Sequence, residues 1–325
     1  MIAITYNTYG PPEVLRVDEL PTPSPAANEV LVRTKATTVT SGDWRARSLD
    51  LPPGFGPIGR LIFGFRRPRQ PVLGSELSGV VEEVGGAVTD LRIGDEVFVF
   101  TGANLGCYAE FLCVAADGNV VKKPENLSFA EAASLGFGGT TALDFFRKAK
   151  LQPGERVLIN GASGGVGTTA VQVAKHLGAE VTGVCSSSNI ELVRSLGADH
   201  VIDYTSEDFT QSGETYDVIM DTAGTAPYAR CKPCLAEAGR LVLVLGGLSD
   251  LLRIPWVAAT STHRIIGGAA AERRDDLQEI AHLATTGAFR PVIDRSFPVE
   301  EIVEAHRYVD TGRKRGSVVV TWDDL

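Results

Sequence analysis

"RVLINGASGGVGTTAVQVAKHLGAEV", residues 156–181, joins a short apolar run, a glycine-rich turn and a stretch of helical periodicity. The apolar run predicts a buried strand, and the longer amphipathic stretch predicts the helix that covers it. The tight turn between them contains Gly161, Gly164 and Gly167. Ala162 stands where the usual G-x-G-x-x-G pattern has its first glycine. The stretch therefore predicts a βα unit that binds a dinucleotide, with the diphosphate at the start of the helix.

The turn supplies the first candidate contacts to that cofactor. Glycines let the backbone approach a diphosphate and let the helix pack on the sheet, and the small Ala162 can take the first position if its φ stays negative. We predict cofactor contacts from five consecutive residues: Ser163, Gly164, Gly165, Val166 and Gly167.

The serine run after the second predicted strand bears on cofactor choice. "EVTGVC" (180–185) is followed by Ser186, Ser187, Ser188 and Asn189, and the next carboxylate in the sequence is Glu191. A carboxylate at the end of this strand binds the ribose 2′-hydroxyl of NAD, whereas hydroxyls and an amide can donate to the 2′-phosphate of NADP. Because we expect no carboxylate near that phosphate, the run favours NADPH, held by Ser186, Ser187 and Asn189. The run lacks Arg and Lys, so NAD stays an alternative, and Ser187 or Ser188 can instead cap the next helix.

The chain changes character near residue 124. Before it, short β-rich runs alternate with Gly and Pro, which predicts a β-barrel-like domain. These runs are "EVLVRTKATTV" (29–39), "LSGVVEEVG" (77–85), "DEVFVF" (95–100) and "YAEFLCV" (108–114). Residues 50–70, rich in Gly, Pro and Arg, predict a long loop.

From residue 125 near-continuous apolar strands alternate with helices, which predicts a parallel sheet covered on both faces. The stretch "SFAEAASLGFGGTTALDFFRKA" (128–149) predicts helical segments broken at Gly138-Gly139. The fold class is therefore α/β, with a β-rich domain and a doubly wound parallel-sheet domain.

Composition limits the classes of partner. A net charge of −9 over 325 residues argues against nucleic acid and anionic membranes as general partners. The basic runs at 66–69 and 313–315 are interpreted as solvated loops. The start of the chain lacks a basic segment followed by an apolar block, so no secretory signal is expected. Five scattered cysteines fit a reducing cytoplasm.

Longer stretches extend the pattern to a family. They are "PTPSPAANEVLVRTKAT" (21–37), "PVLGSELSGVVEEVGGAVTDLRIGDEVF" (71–98), "GGTTALDFFRKAKLQPGERVLINGASGGVG" (138–167) and "GRKRGSVVV" (312–320). With them the chain resembles the medium-chain dehydrogenase/reductase superfamily, and within it the zinc-free quinone oxidoreductases and enone reductases.

The resemblance implies a domain organisation. A GroES-like catalytic domain comprises residues 1–124 and 265–325, and a Rossmann NADP-binding domain comprises 125–264, with nicotinamide and substrate meeting in a cleft between them. Relatives pair the last strand of the nucleotide domain across a two-fold axis, which predicts a homodimer through a strand within His263–Gly268.

The resemblance also bears on metal. Zinc-dependent relatives hold catalytic zinc with two Cys and a His, at positions where this chain has Thr40 or Ser41, Ser75 and Phe137. Hydroxyls are poor zinc ligands and a phenyl ring is none. We therefore expect no catalytic zinc. Cys231 and Cys234 have redox-pair spacing, but without a second pair they are interpreted as structural.

Catalytic candidates come from the resemblance alone. Thr40 stands where relatives have an Asn that lines the nicotinamide pocket, and Asp43 either shares that role or caps the helix "DWRARS". Thr141 matches a position that contacts the nicotinamide carboxamide, and the alternative for it and for Tyr204 is a packing role. Further cofactor-binding candidates are Tyr204, expected beside the 2′-phosphate, and Leu245 and Gly246, which close the run "RLVLVLG".

These observations predict an NADPH-dependent, zinc-independent reductase that transfers hydride to a quinone or an α,β-unsaturated carbonyl. The alternative is an NADP-binding structural or regulatory protein with little turnover, since a fold does not by itself determine a function.

Overall fold

Two sheets of different kinds organise the chain. The structure, a computed structural model, describes residues 1–322. Within them the strands are β1 (Ile2–Thr5), β2 (Arg16–Glu19), β3 (Glu29–Thr38), β4 (Glu76–Val84), β5 (Glu96–Phe100), β6 (Phe111–Ala115), β7 (Val120–Lys122), β8 (Arg156–Asn160), β9 (Glu180–Cys185), β10 (His200–Asp203), β11 (Tyr216–Asp221), β12 (Leu235–Leu243), β13 (Arg264–Gly267), β14 (Ile293–Pro298) and β15 (Ser317–Thr321). The α-helices are α1 (Ser41–Ser48), α2 (Gly56–Phe63), α3 (Phe129–Ala133), α4 (Gly136–Ala149), α5 (Gly165–His176), α6 (Ile190–Ser195), α7 (Tyr228–Cys231), α8 (Leu248–Thr260), α9 (Arg274–Thr285) and α10 (Ile302–Asp310).

The apolar runs in the middle of the chain form a six-stranded parallel sheet. Its strand order is β10-β9-β8-β11-β12-β13. Leu158, Ile219 and Leu241, one from each of three neighbouring strands, are fully buried in its core. This order reverses direction between β8 and β11, and ligands of such sheets bind outside the carboxyl ends of the strands at that point. The predicted doubly wound domain is confirmed.

The β-rich part forms a seven-stranded sheet from both ends of the chain. Its order is β14-β15-β3-β4-β5-β7, with β6 also paired to β3. All its pairs are antiparallel except β14 with β15, which is parallel. The predicted GroES-like domain, with strands from both chain ends, is confirmed.

The chain divides into two compact units at positions that differ from the predicted boundaries. One unit contains Met1–Leu51, Gly56–Phe137 and the chain from Glu272 onward, and the other contains Pro52–Phe55 and Gly138–Ala271. The first boundary lies beyond residue 124 because α3 packs against the core of the first unit through Phe129 and Ala133. The second lies beyond residue 264 because β13 is the sixth strand of the parallel sheet.

Two local predictions are wrong. Residues 50–70 are not a continuous loop but contain α2, where Ile58, Leu61 and Ile62 have helical spacing. Gly138-Gly139 does not break a helix but lies inside α4. A Cβ at Gly138 would lie 2.6 Å from Thr169 Oγ1, so this glycine allows α4 to pack closely against α5.

A buried arginine fixes α1, the helix that begins at the candidate catalytic residues. Arg47 is fully buried, and its Nη2 donates to both carboxylate oxygens of Asp310 at 2.7 and 2.6 Å. Its Nη1 donates to the carbonyl oxygen of Gly10 at 2.9 Å. These bonds tie α1 to the end of α10. Across residues 1–322, the helices are too short or too polar to span a lipid bilayer.

Candidate functional site

The turn after β8 is a tight strand-to-helix turn, as the glycine pattern predicts. The residue that bends the chain there is Gly161, one position before the usual first glycine of the pattern. Gly161 has a φ of +84°, in the left-handed region that favours glycine. Ala162 has a negative φ, as required for a residue with a Cβ. The backbone N–H groups of both residues donate to the carbonyl oxygen of Val184, at 3.1 and 2.9 Å. The strand-to-helix turn is therefore made by Gly161, and Ala162 fits beside it.

The two later glycines have different roles. A Cβ at Gly167 would lie 2.1 Å from the carbonyl oxygen of Gly161, so only glycine lets α5 approach the turn. A Cβ at Gly164 would meet only that same oxygen, at 3.5 Å, which is an ordinary contact. Packing within the protein therefore does not require glycine at 164. Gly164 therefore leaves open backbone at the start of α5, where free N–H groups could receive an anion.

The polar residues predicted to bind the ribose lie together at the carboxyl end of β9. The side-chain amide of Asn189 donates to Ser163 Oγ at 3.0 Å and to Ser186 Oγ at 3.2 Å. This cluster joins the turn to the serine run. Neither the short 3₁₀ turn Ser187–Asn189 nor α6 has a side-chain cap, so the alternative role for Ser187 or Ser188 as a helix cap is wrong.

A carboxylate lies beside this cluster, which corrects the expectation that none is near. Asp203 ends β10 and pairs in register with Cys185 at the end of β9. Its Oδ1 accepts from the Thr205 N–H at 2.9 Å and from the Thr205 hydroxyl at 2.7 Å. These bonds, and then those from the hydroxyl and backbone N–H of Ser187, hold the pKa of Asp203 below its ordinary value. Sequence reasoning missed it because Asp203 is distant in the chain from the serine run.

The other cofactor candidates also lie near the carboxyl ends of the parallel strands. Tyr204 is exposed, and its backbone N–H donates to the carbonyl oxygen of Cys185 at 3.1 Å. Leu245 and Gly246 lie in the turn that follows β12. A Cβ at Gly224, in the turn after β11, would contact the Leu245 side chain at 3.5 Å, so these two turns are neighbours.

Thr141 lies on the face of α4 that meets α5. A Cβ at Gly138 would contact the carbonyl oxygen of Gly165 at 3.1 Å. Thr141 is one turn further along and so shares that face, and it is buried.

Asp221 is a structural residue of the site that sequence reasoning missed. It is buried at the end of β11, and its two carboxylate oxygens accept from the backbone N–H groups of Ala223, Gly224 and Ala226 at 2.8–3.1 Å. The Asn160 amide also donates to it, at 2.9 Å. A carboxylate that closes the apolar run "YDVIMD" is the signal that could have identified it. Asp221 shapes the loop at the point where the strand order reverses.

In the other unit, Thr40 and Asp43 form a buried capping box at the start of α1. Thr40 Oγ1 accepts from the Asp43 N–H at 3.1 Å and donates to Asp43 Oδ2 at 2.7 Å. The Thr40 N–H donates to the same carboxylate oxygen at 2.8 Å. Ser75 Oγ lies 3.2 Å from Thr40 Oγ1. The capping role considered for Asp43 is thus present, and Thr40 and Ser75 place two hydroxyl groups together.

Burial makes the ionised form of Asp43 costly. Its side chain is fully buried, and its Oδ1 has no hydrogen-bond partner in residues 1–322. Burial raises the pKa of Asp43 to about 6, although hydrogen bonds from Thr40 and Ser75 oppose the shift.

A second buried carboxylate lies at the start of β4. Glu76 Oε1 accepts from the Thr38 hydroxyl, and its Oε2 accepts from the backbone N–H of Phe137 at 2.7 Å. Burial raises the pKa of Glu76 to about 7, and Asp43 adds to that rise. We call Asp43 and Glu76 with their partners Thr38, Thr40, Ser75 and Phe137 the carboxylate cluster.

The cysteine pair is structural. Cys231 and Cys234 are buried in the core of the parallel-sheet unit. Burial raises the pKa of Cys231 to about 12, which leaves the thiol protonated and unreactive.

Comparison with known proteins identifies the family to which the chain belongs. Residues 26–125 match the alcohol dehydrogenase GroES-like domain, and residues 196–320 match the family described as zinc-binding dehydrogenase. The chain is 31% identical to the chloroplast envelope quinone oxidoreductase homolog of Arabidopsis thaliana, over 98% of each chain. It is 29% identical to the NADPH-dependent alkenal/one oxidoreductase of the same plant, over 98% of this chain and 79% of the relative. The chain belongs to the medium-chain dehydrogenase/reductase superfamily.

Solved structures agree with this membership. The quinone oxidoreductase from Coxiella burnetii has a TM-score of 0.87 and 32% identity over 99% of both chains. The Escherichia coli quinone oxidoreductase complexed with NADPH has a TM-score of 0.83 and 25% identity, over 99% of this chain and all of that one. This member of the superfamily is accordingly an oxidoreductase with a nicotinamide cofactor.

The carboxylate cluster does not fit a catalytic zinc ion, although one of the matching families is described as zinc-binding. By the resemblance, Thr40 or Ser41, Ser75 and Phe137 stand at the three positions where zinc-dependent members have ligands. Neutral hydroxyls are weak zinc donors, and the Thr40 hydroxyl already bonds to Asp43. Nowhere in residues 1–322 do three or more His, Cys, Asp or Glu side chains form a group that could hold a metal ion.

Proposed function

We propose that the protein is an NADPH-dependent, zinc-independent reductase of quinones or α,β-unsaturated carbonyls. The observation that carries this proposal is the carboxylate cluster, where hydroxyls and a phenyl ring replace a zinc ligand set. Quinones and enones suit such a site because conjugation spreads the negative charge that develops on their oxygen. Unactivated ketones depend more on a Lewis acid, so we expect them to react poorly.

The residues of the parallel-sheet unit orient the cofactor. When bound, NADPH supplies the hydride. The backbone N–H groups at the start of α5 bind its diphosphate, and Gly164 leaves room for it. Asn189 orients the hydroxyls of Ser163 and Ser186, which then donate to the 2′-phosphate, and these charge-assisted bonds favour NADPH over NADH.

The hydroxyl of Thr40 is the proposed donor to the substrate oxygen. Its bond to Asp43 Oδ2 has to reverse for this role: a protonated Asp43 donates to Thr40 Oγ1, which frees the Thr40 proton for the substrate oxygen. Ser75 Oγ lies 3.2 Å from Thr40 Oγ1. Donation to a developing oxyanion lowers the barrier to hydride transfer, because the donor is already held in place. Water supplies the proton that completes the reduction.

Homodimer formation through β13 is part of the proposal. β13 is an edge strand of the parallel sheet, and α8 packs beside it with Leu252 and Trp256 exposed at 69% and 62%. An unpaired edge next to exposed apolar side chains favours pairing with a second copy. A sedimentation mass of one chain at micromolar concentration would contradict the dimer.

The proposed location is a reducing cytoplasm, which the five free cysteines support.

The deciding experiment is steady-state oxidation of NADPH with a panel of quinones, enals and simple ketones. We expect turnover with the first two classes and little with ketones, in protein that metal analysis shows to hold no stoichiometric zinc. Tight NADPH binding without turnover on any substrate would favour a structural or regulatory role. One tightly held zinc per chain would overturn the zinc-independent mechanism.

A further inference from the structure

The carboxylate of Asp203, at the end of β10, lies beside the residues that are proposed to bind the negatively charged 2′-phosphate of NADPH. Asp203 is paired in register with Cys185, the last residue of β9, and the candidate 2′-phosphate donors begin at the next residue, Ser186. The hydroxyl and backbone N–H of Ser187 are close enough to contribute to the lowered pKa of the Asp203 carboxylate. The adjacent Tyr204 N–H donates to the carbonyl oxygen of Cys185, which fixes the separation of the two strand ends.

The strongest influences on the pKa of Asp203 are hydroxyls, backbone N–H groups and burial, and none of them is a cation. Between residues 182 and 210 the sequence contains Arg194 and His200 as its only basic residues. Arg194 Nη1 lies 3.0 Å from the Glu191 carboxylate, and His200 Nε2 lies 3.1 Å from that of Glu180. Each of these basic side chains therefore already has a glutamate partner. The hydrogen bonds that the Asp203 side chain accepts come from Thr205, a neutral donor.

We propose that Asp203 is a specificity-determining residue that limits the preference for NADPH and lets the protein use NADH as well. It acts in two ways. Its charge repels the 2′-phosphate, and it engages the Ser187 hydroxyl, which would otherwise donate to that phosphate. The repulsion does not act on NADH, which has a neutral 2′-hydroxyl at that place. This inference rests on the proposed cofactor-binding function and deepens it.

The test is a comparison of NADPH and NADH dissociation constants, measured by nicotinamide fluorescence in the native protein and in D203N. The amide keeps an oxygen to accept from Thr205, so the turn after β10 is retained. We expect the affinity ratio of NADPH to NADH to rise about five- to tenfold in D203N, almost entirely through NADPH. The rise should shrink at 1 M salt, where exposed charges are screened over about 3 Å.

Two further variants distinguish a direct effect of Asp203 on the 2′-phosphate from a general effect of surface charge or of structure. Glu237→Gln removes the same charge from an exposed residue near the amino end of β12, and it should leave the ratio unchanged. Ser187→Ala should alter NADPH affinity by less than about twofold in the native protein but by about threefold or more in the D203N background. A purely structural role of Asp203 would give neither the salt dependence nor this coupling.

Different results would contradict the role of Asp203 and the proposed NADPH-dependent reductase function. An unchanged ratio in D203N, or an equal rise in Glu237→Gln, overturns the inference while NADPH binding and turnover stand. Failure of the native protein to bind either cofactor overturns the proposed function and the inference with it.

Discussion

The turn after β8 and the carboxylate cluster are built from different kinds of constraint. In the turn, neighbours in the sequence limit one another: Gly161 bends the chain, and Gly167 leaves room for the Gly161 carbonyl oxygen. In the cluster, Glu76 bonds to Thr38 and Phe137, which are far from it in the sequence. The cofactor turn therefore depends on backbone sterics, whereas the carboxylate cluster depends on burial and on groups that folding brings together.

The largest effect should come from Gly167→Ala, which tests the steric side of this comparison. Its Cβ would lie 2.1 Å from a backbone oxygen, so α5 or the turn must move. We expect a loss of about 3 kcal/mol or more in the free energy of unfolding, measured by urea denaturation.

Gly164→Ala is the matched control within the same turn. Its Cβ would make only a 3.5 Å contact, so we expect a change in stability below about 1 kcal/mol together with a clear loss of cofactor affinity. Equal destabilisation by the two variants would show that the turn does not reserve space for a ligand.

The next largest effect concerns the ribose end of the same site. Ser186→Asp places a carboxylate at the end of β9, where it repels a 2′-phosphate and can accept from the ribose hydroxyls of NADH. We expect the NADPH to NADH affinity ratio to fall about a hundredfold, or about 2.7 kcal/mol, which inverts the preference. Titration of both reduced cofactors by fluorescence measures it.

Ser212→Asp adds the same charge at an exposed residue before β11, away from the carboxyl ends of the strands. It should leave the ratio near its native value. A Ser186→Asp protein that still prefers NADPH would show that other residues contact the ribose.

A smaller effect tests the burial side of the comparison. The pKa of Glu76 is raised from 4.5 to about 7, so the folded protein holds the proton more tightly than the unfolded chain. Its contribution to stability is therefore full below about pH 4.5 and is lost as the pH rises through 7. In Glu76→Gln the amide oxygen can accept from Phe137 and the amide N–H can donate to Thr38.

We expect Glu76→Gln to be more stable than the native protein by about 2 kcal/mol at pH 8 and to have no advantage at pH 4. Urea denaturation across this pH range measures the difference. A constant difference at every pH would mean that the ionisation of Glu76 does not limit stability.

The smallest effect separates capping from catalysis. Thr40→Ala and Ser128→Ala each remove the N-cap of a capping box in the same unit, and each should cost about 1 kcal/mol of stability. Only Thr40→Ala should lower kcat/KM, by about tenfold or more, because it removes the proposed donor to the substrate oxygen. Thr40→Ser keeps the hydroxyl and should restore most of the activity. Equal activity in Thr40→Ala and Ser128→Ala would exclude that donor role.

The sequence by itself determined both sheets, the strand–turn–helix unit at 156–181 and the glycine pattern in its turn. These features depend on residues close together in the chain: apolar periodicity, glycine sterics and the free N–H groups at a helix start. Only the tertiary structure decided that Asp203 lies beside Cys185, where the serine run begins, and that Glu76 bonds to Phe137, because strand register and packing bring those residues together. It also decided the raised pKa values of Asp43 and Glu76, since burial of a carboxylate is a property of the folded chain and not of its local sequence.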